Sequence, residues 1–144
     1  LWYAIRIKHC AGNVQFLATP DGIPLWVSGV EPGSVHDLAA ARVHALPDLY
    51  PAIRDGLPAL ADIGYLGAGG GLQVPFRKHP DLPGDLGLDN ETYNKLHRGL
   101  RLPAERAMAE LKQRWRTLQH VTLSPNRIGA IAQAALALNN AWRP

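Results

Sequence analysis

The hydrophobic pattern of this chain changes period several times, and each change marks an element. Short apolar runs from Asn13 to Ala18 and from Ile23 to Ser28 are joined by Thr-Pro-Asp-Gly, a combination that predicts a β-hairpin. Upstream, Tyr3 to Lys8 alternates polar and apolar residues and reads as an extension of the first strand. Pro32-Gly33 breaks the pattern. Ser34 then reads as an N-cap with Asp37 at N3, opening a helix to about Leu46.

Leu57-Pro-Ala-Leu-Ala-Asp62 reads as a short buried strand that ends in an aspartate and runs into a glycine-rich loop. Gly67 to Gly71 is expected to be a flexible turn, and Leu72 to Phe76 a second strand. Lys78 to Gly87, rich in Pro, Gly and Asp, reads as a loop. From about Asn90 to Leu118 the apolar residues recur at helical spacing, but Pro103 has no N–H to donate and clashes with the preceding turn. A kink or a fresh helix start is expected there. Ser124-Pro125 opens a last helix to about Asn140, with Ile128, Ile131, Ala135 and Leu138 on one face as packing material.

The long helical region carries the first chemical signal. At about 100° of turn per residue, Arg98, Arg101, Glu105, Lys112 and Arg116 share a face. That face borders an apolar stripe of Ala104, Met108, Leu111, Trp115 and Leu118. The stripe packs inward and leaves one carboxylate among cations along its edge. Such an edge suits a metal ion and a phosphodiester backbone, or it is an ordinary amphipathic surface with an Arg101/Glu105 pair at i, i+4 worth about 0.2–0.5 kcal/mol. The second signal is Asp62, 43 positions upstream of Glu105. At the carboxyl end of a strand it stands where α/β sheets place ligands, or it is an Asx turn that stops the strand. The adjacent glycines are no nucleotide loop, since they lack both the P-loop ending and the G-x-G-x-x-G order.

Composition tightens these bounds. The 144 residues suit one domain spanning 1–144, and 47% hydrophobic content suffices for a core. The net charge of +3 is mild, but seven Lys/Arg against two Glu between Lys95 and Arg116 form a local cationic surface. Such a surface binds a DNA backbone by counterion release, or is simply a solvated helix face. Cys10 is the single cysteine, so no intramolecular disulfide is possible and a reduced thiol is expected. The six histidines show no metal-binding spacing. No apolar run approaches a membrane span, and the opening Leu-Trp-Tyr-Ala-Ile-Arg lacks a signal-peptide layout, so a cytoplasmic protein is expected.

Taken together, five segments resemble the catalytic core of the DDE superfamily transposases, in particular the bacterial insertion-sequence and Harbinger-like endonucleases. They are Gly12-Asn-Val-Gln-Phe-Leu-Ala, Pro20-Asp-Gly, Pro32-Gly-Ser-Val-His36-Asp37, Ala61-Asp62-Ile-Gly-Tyr65-Leu-Gly-Ala-Gly, and Glu105-Arg106 with Leu111-Lys112. They follow the family's order across nearly the whole chain. The resemblance puts the family's second aspartate on Asp62 and its glutamate on Glu105. Arg101 and Lys112 match an Arg-x3-Glu-x6-Lys signature, although Arg98 stands where that signature has tyrosine. Asp37 recurs in the family and could serve as a further metal ligand, with helix capping as its simpler role.

What the resemblance implies is an α/β, RNase H-like fold, a mixed sheet flanked by helices. The family's first catalytic aspartate lies on an opening strand, upstream of the segment that Leu1-Trp2-Tyr3 resembles, whereas Asp21-Gly22 falls at the hairpin turn. A core truncated at its N-terminus, without the central first strand, is therefore expected. Such a core would leave two sheet edges unpaired, so self-association or a completing chain is expected as well. The implied chemistry is cutting and joining of DNA strands at transposon ends and target. Two Mg²⁺ (or Mn²⁺) ions, roughly 3.5–4 Å apart in the complete enzyme, would act as the cofactors. Asp62 and Glu105 would supply two of three acidic ligands, and Arg98, Arg101, Lys112 and Arg116 would contact DNA. The chain alone is expected to be inactive. The alternative is a non-catalytic DNA-binding or subunit-interaction remnant, and a hydrolase using Asp62 and Glu105 as acid and base is a distant third.

Overall fold

The computed structural model describes residues 2–4, 8–81, 84–120 and 123–142. Two short strands, β1 (Tyr3–Ala4) and β2 (His9–Cys10), pair antiparallel, and the alternation read up to Lys8 lies partly outside the described residues. The predicted hairpin is β3 (Gly12–Ala18) against β4 (Pro24–Pro32), with register irregularities after Val14 and Leu17. Its turn closes as the sequence suggested. Gly22 N–H donates to the Thr19 carbonyl at 3.0 Å, and Thr19 and Ile23 exchange bonds at 2.9 Å.

Period-2 alternation in β3 sorts its side chains onto two faces. Val14 and Phe16 join Val27 of β4 in a core with Ala132, Leu136 and Leu118. Asn13 and Gln15 turn the other way, where Asn13 bonds Val35 and Asp37. The apolar face is covered by α4 (Ile128–Ala141), the polar one by α1 (Asp37–His44). At Gly129 a Cβ would lie 2.9 Å from the Val30 amide nitrogen, so glycine alone lets α4 approach the β4 backbone this closely. Asn140 Nδ2 donates to the Pro24 carbonyl at 2.8 Å and fixes the other end of the helix.

Several expected boundaries move, each for a physical reason. The cap of α1 is His36 rather than Ser34, its Nδ1 accepting the Leu38 N–H at 3.3 Å, so Asp37 occupies the first helical position and is free to meet Asn13. The helix stops at His44, and α2 (Leu46–Arg54) follows after a non-helical Ala45. The Leu57–Asp62 and Leu72–Phe76 strands shrink to one parallel bridge, Leu60 with Gln73. Leu57 is exposed and Leu60 only half-buried, so the run lacks the enclosure that would extend the ladder. The glycine loop is pinned: Arg42 Nη2 donates to the Gly67 carbonyl at 3.2 Å and the Tyr50 hydroxyl to that of Ala68 at 2.6 Å.

The longest element is α3 (Leu88–Arg114), which runs without interruption through Pro103. Proline deprives the Gly99 carbonyl of its helical donor, but Gly99 is exposed and water can replace it. The buried stripe of α3 is His97, Ala107 and Leu111, while Ala104, Met108, Trp115 and Leu118 are half-buried and Arg116 lies in a 3-10 turn beyond the helix. On α4 the expected face is rotated: Leu138 is exposed, and Gly129, Ala132, Ala135, Leu136 and Asn139 are buried. The close approach at Gly129 sets that rotation. Arg114 and Asn139 (3.3 Å) and the stacked rings of Trp115 and Trp142 (6.0 Å) join the ends of α3 and α4.

The hairpin tip is braced on α3 at the same proline. Gly22 has φ +85°, and a Cβ there would lie 2.9 Å from the Pro103 carbonyl oxygen. Gly22→Ala is therefore expected to lower stability by about 3 kcal/mol, through left-handed backbone strain plus a steric conflict. Gly56→Ala, at φ +101° with open space around it, is expected to lose only about 1–2 kcal/mol from the backbone alone. Urea unfolding of the two variants checks the difference.

Candidate active site

Asp62 stands two residues past the bridge residue Leu60 and opens the 3-10 turn Ile63–Tyr65, where its carboxylate accepts the Ile63 N–H. The capping role read from the sequence is thus present. The same carboxylate also faces α3, with Oδ1 3.9 Å from Arg101 Nη1. Arg101 Nη2 meets Glu105 Oε1 at 2.5 Å. One guanidinium therefore stands between the two acids that the sequence singled out. The arginine side chain is only 17% exposed, whereas those of Asp62 and Glu105 are 60% and 49% exposed.

Pairs this open to water contribute only about 0.2–1 kcal/mol each, too little to hold a helix in register. A buried link does that. His97, one turn before Arg101 and 2% exposed, has Nε2 3.1 Å from the Gln73 carbonyl oxygen. A carbonyl can only accept, so Nε2 carries the proton, and Nδ1 has no partner among the described residues. The same carbonyl accepts the Ala61 N–H at 2.8 Å, while Gln73 N–H donates to Ala59 at 2.9 Å. Asn94 adds two bonds to the Phe76 backbone, 2.8 Å to its N–H and 3.0 Å to its carbonyl. Side chains of α3 thus take the backbone partners that a further strand would have supplied to residues 73–76.

A polar chain joins β3 to the Asp62 turn. The Tyr65 hydroxyl donates to Gln15 Oε1 at 2.8 Å, Gln15 Nε2 to Asn13 Oδ1 at 2.9 Å, and Asn13 Nδ2 to Asp37 Oδ1 at 2.8 Å. Burial pushes the Tyr65 hydroxyl up to about 12, and the Asp37 and Asp62 carboxylates add to the rise. Asp37 thus lies near the Asp62 turn but is engaged by Asn13. Asn13, Gln15, Tyr65 and His97 were given no role from the sequence. The alternation of Asn13 and Gln15 with Val14 and Phe16 was the available signal, as was the i, i+4 spacing of His97 and Arg101.

Two carboxylates from distant segments thus flank one guanidinium beside the Leu60–Gln73 bridge. The family described as DDE superfamily endonuclease matches residues 1–140. The chain belongs to that superfamily. No curated protein and no solved structure matches it. DDE superfamily endonucleases act on DNA and generally use divalent metals. This DDE-type chain is a mixed α/β fold, and among its described residues no group of three or more His, Cys, Asp or Glu side chains could hold a metal. Its Arg98, Lys112 and Arg116 are exposed, and Arg101 is not. No helix among the described residues is long and apolar enough to cross a membrane.

The Tyr65 environment gives a pH dependence. An unfolded tyrosine deprotonates near 10.0, the folded one near 12. Between those values the unfolded chain releases a proton that the folded chain keeps, so the contribution to stability is complete below pH 10 and is lost as pH rises toward 12. Urea midpoints measured across that window should fall, and Tyr65→Phe should remove this part of the fall. At pH 7 the same substitution should cost about 1–3 kcal/mol, because the buried Gln15 oxygen loses its donor.

Proposed function

We propose that this chain is a transposase catalytic core with an RNase H-like arrangement, in which Asp62 and Glu105 bind a divalent metal ion beside a DNA strand. The observation that carries the reading is their convergence on the Arg101 guanidinium. Two oxygen donors open to water fit a hard ion such as Mg²⁺ or Mn²⁺, which is usually held by one or two carboxylates with waters and substrate phosphate. The lodged guanidinium marks the place as one where positive charge is stable. When bound there, the metal polarises a phosphodiester oxygen and lowers the pKa of water or a 3′-hydroxyl.

The protein's own residues supply placement. His97 holds α3 against the bridge strand so that Glu105 faces Asp62. Ile63 N–H orients the aspartate, and Asn13 holds Asp37 outside the ligand pair. Arg98, Lys112 and Arg116 neutralise the DNA backbone along a helix edge of roughly 21 Å between Arg98 and Lys112. The full chemistry uses two ions and a third carboxylate, which self-association with another chain would supply. With Asp62 and Glu105 as its only carboxylates, the site is inactive in strand cleavage until a third carboxylate joins it. A second reading, a DNA-binding module without catalysis, draws on the lack of a three-ligand group among the described residues.

Calorimetric titration with Mn²⁺ separates the two. Weak binding by the unaltered chain that is lost in both Asp62→Asn and Glu105→Gln supports the metal site. Unaltered heats in those variants, with DNA binding retained, would leave only the binding module. Duplex affinity should fall with salt, and each of Arg98→Ala, Lys112→Ala and Arg116→Ala should reduce the logarithmic slope by about 1.

A further inference from the structure

Arg101 is held differently by its two partners. Its contact with Glu105 is a short charge-assisted hydrogen bond at 2.5 Å, whereas the 3.9 Å to Asp62 is beyond hydrogen-bonding distance. Asp62 is oriented by the Ile63 N–H instead. The guanidinium therefore offsets half the charge of this pair of acids, bonded to Glu105 and only close to Asp62. Two carboxylates and one guanidinium carry a local charge of −1, a poor setting for a phosphate. If a divalent ion takes the guanidinium's place, the acids are balanced and one cation is released on the helix face that also carries the exposed Arg98, three residues back.

We propose that Arg101 is a resident cation which a divalent metal displaces, and that the released guanidinium then binds a DNA phosphate, so that metal and DNA each tighten the binding of the other. The proposal rests on Asp62 and Glu105 being the metal ligands. Binding linkage is reciprocal. Without DNA, the metal must compete with an arginine already in place. With DNA, the phosphate takes up the displaced side chain and the competition falls. The same residue thus disfavours metal uptake by the free protein and favours it on substrate, a property that a residue reserved for DNA contact would lack.

Free Mn²⁺, followed by its paramagnetic resonance signal during titration of the chain, provides the test. Arg101→Gln should raise Mn²⁺ affinity in the absence of DNA by roughly fivefold to tenfold, the scale expected when one unit charge is removed a few ångströms from a divalent ion in a solvated site. Misfolding cannot produce that rise, because an unfolded chain does not bring the two acids together. A short duplex should tighten Mn²⁺ binding by a larger factor in the unaltered chain than in Arg101→Gln. As a check that needs no folded variant, Mn²⁺ should steepen the salt dependence of duplex binding by the unaltered chain by about one further cation. Equal or weaker Mn²⁺ affinity in a folded Arg101→Gln, or an unchanged salt slope, overturns the exchange. If Asp62→Asn and Glu105→Gln also leave Mn²⁺ affinity unchanged, the ligand assignment falls with it; if they abolish binding, only the exchange falls.

Discussion

The hydrogen bond from buried His97 to the Gln73 carbonyl is the constraint on which the site depends. Gln73 is the partner of Leu60 in the parallel bridge, and its carbonyl also accepts the Ala61 N–H, one residue before Asp62. A helix residue is thereby fixed to the segment that carries Asp62, and one turn further along the helix comes Arg101 and then Glu105. Solvent-exposed ion pairs are too weak to impose this register. A bond from a buried histidine is strong enough, because losing it would leave the His97 ring without a hydrogen-bond partner among the described residues.

The hairpin does the corresponding work on the other side. Its alternating residues send an apolar set to α4 and a polar set to α1 and Tyr65. Because Gln15 and Asn13 are committed to Tyr65 and Asp37, the Asp62 turn is attached to the sheet by side chains, where a wider sheet would use backbone ladders. The glycine loop that follows is held from outside by Arg42 and Tyr50. The acids stay open to solvent while the backbone beneath them is tied on three sides. That combination suits a site that must admit both an ion and a nucleic-acid strand.

Much of this was legible in the sequence, for identifiable reasons. The hairpin followed from its turn chemistry, and the exposed cationic edge of α3 from helical periodicity. Asp62 and Glu105 were singled out by their places at a strand end and within a basic stripe. Where local pattern competed with tertiary contact, the reading shifted. Pro103 suggested a break, but the exposed Gly99 lets the helix continue. Leu72 to Phe76 looked like a strand, yet Asn94 and His97 satisfy its backbone in place of a neighbouring strand. His36 caps α1 in place of Ser34, which puts Asp37 at the first helical position, where it meets Asn13, and the face of α4 was rotated by the backbone approach at Gly129. Arg101 was read as a DNA contact. Its position between two acids could not be inferred without knowing that Asp62 and Arg101, 39 apart, come together.

The central claim is that Asp62 and Glu105 form one cation site. Paramagnetic broadening by substoichiometric Mn²⁺ in an amide-resolved nuclear magnetic resonance spectrum tests it most directly. Amide signals around Ile63 and around Arg106 should broaden together at the same Mn²⁺ concentration, ahead of those near other acidic residues. Broadening confined to one of the two segments, or spread evenly over surface carboxylates, would contradict the shared site.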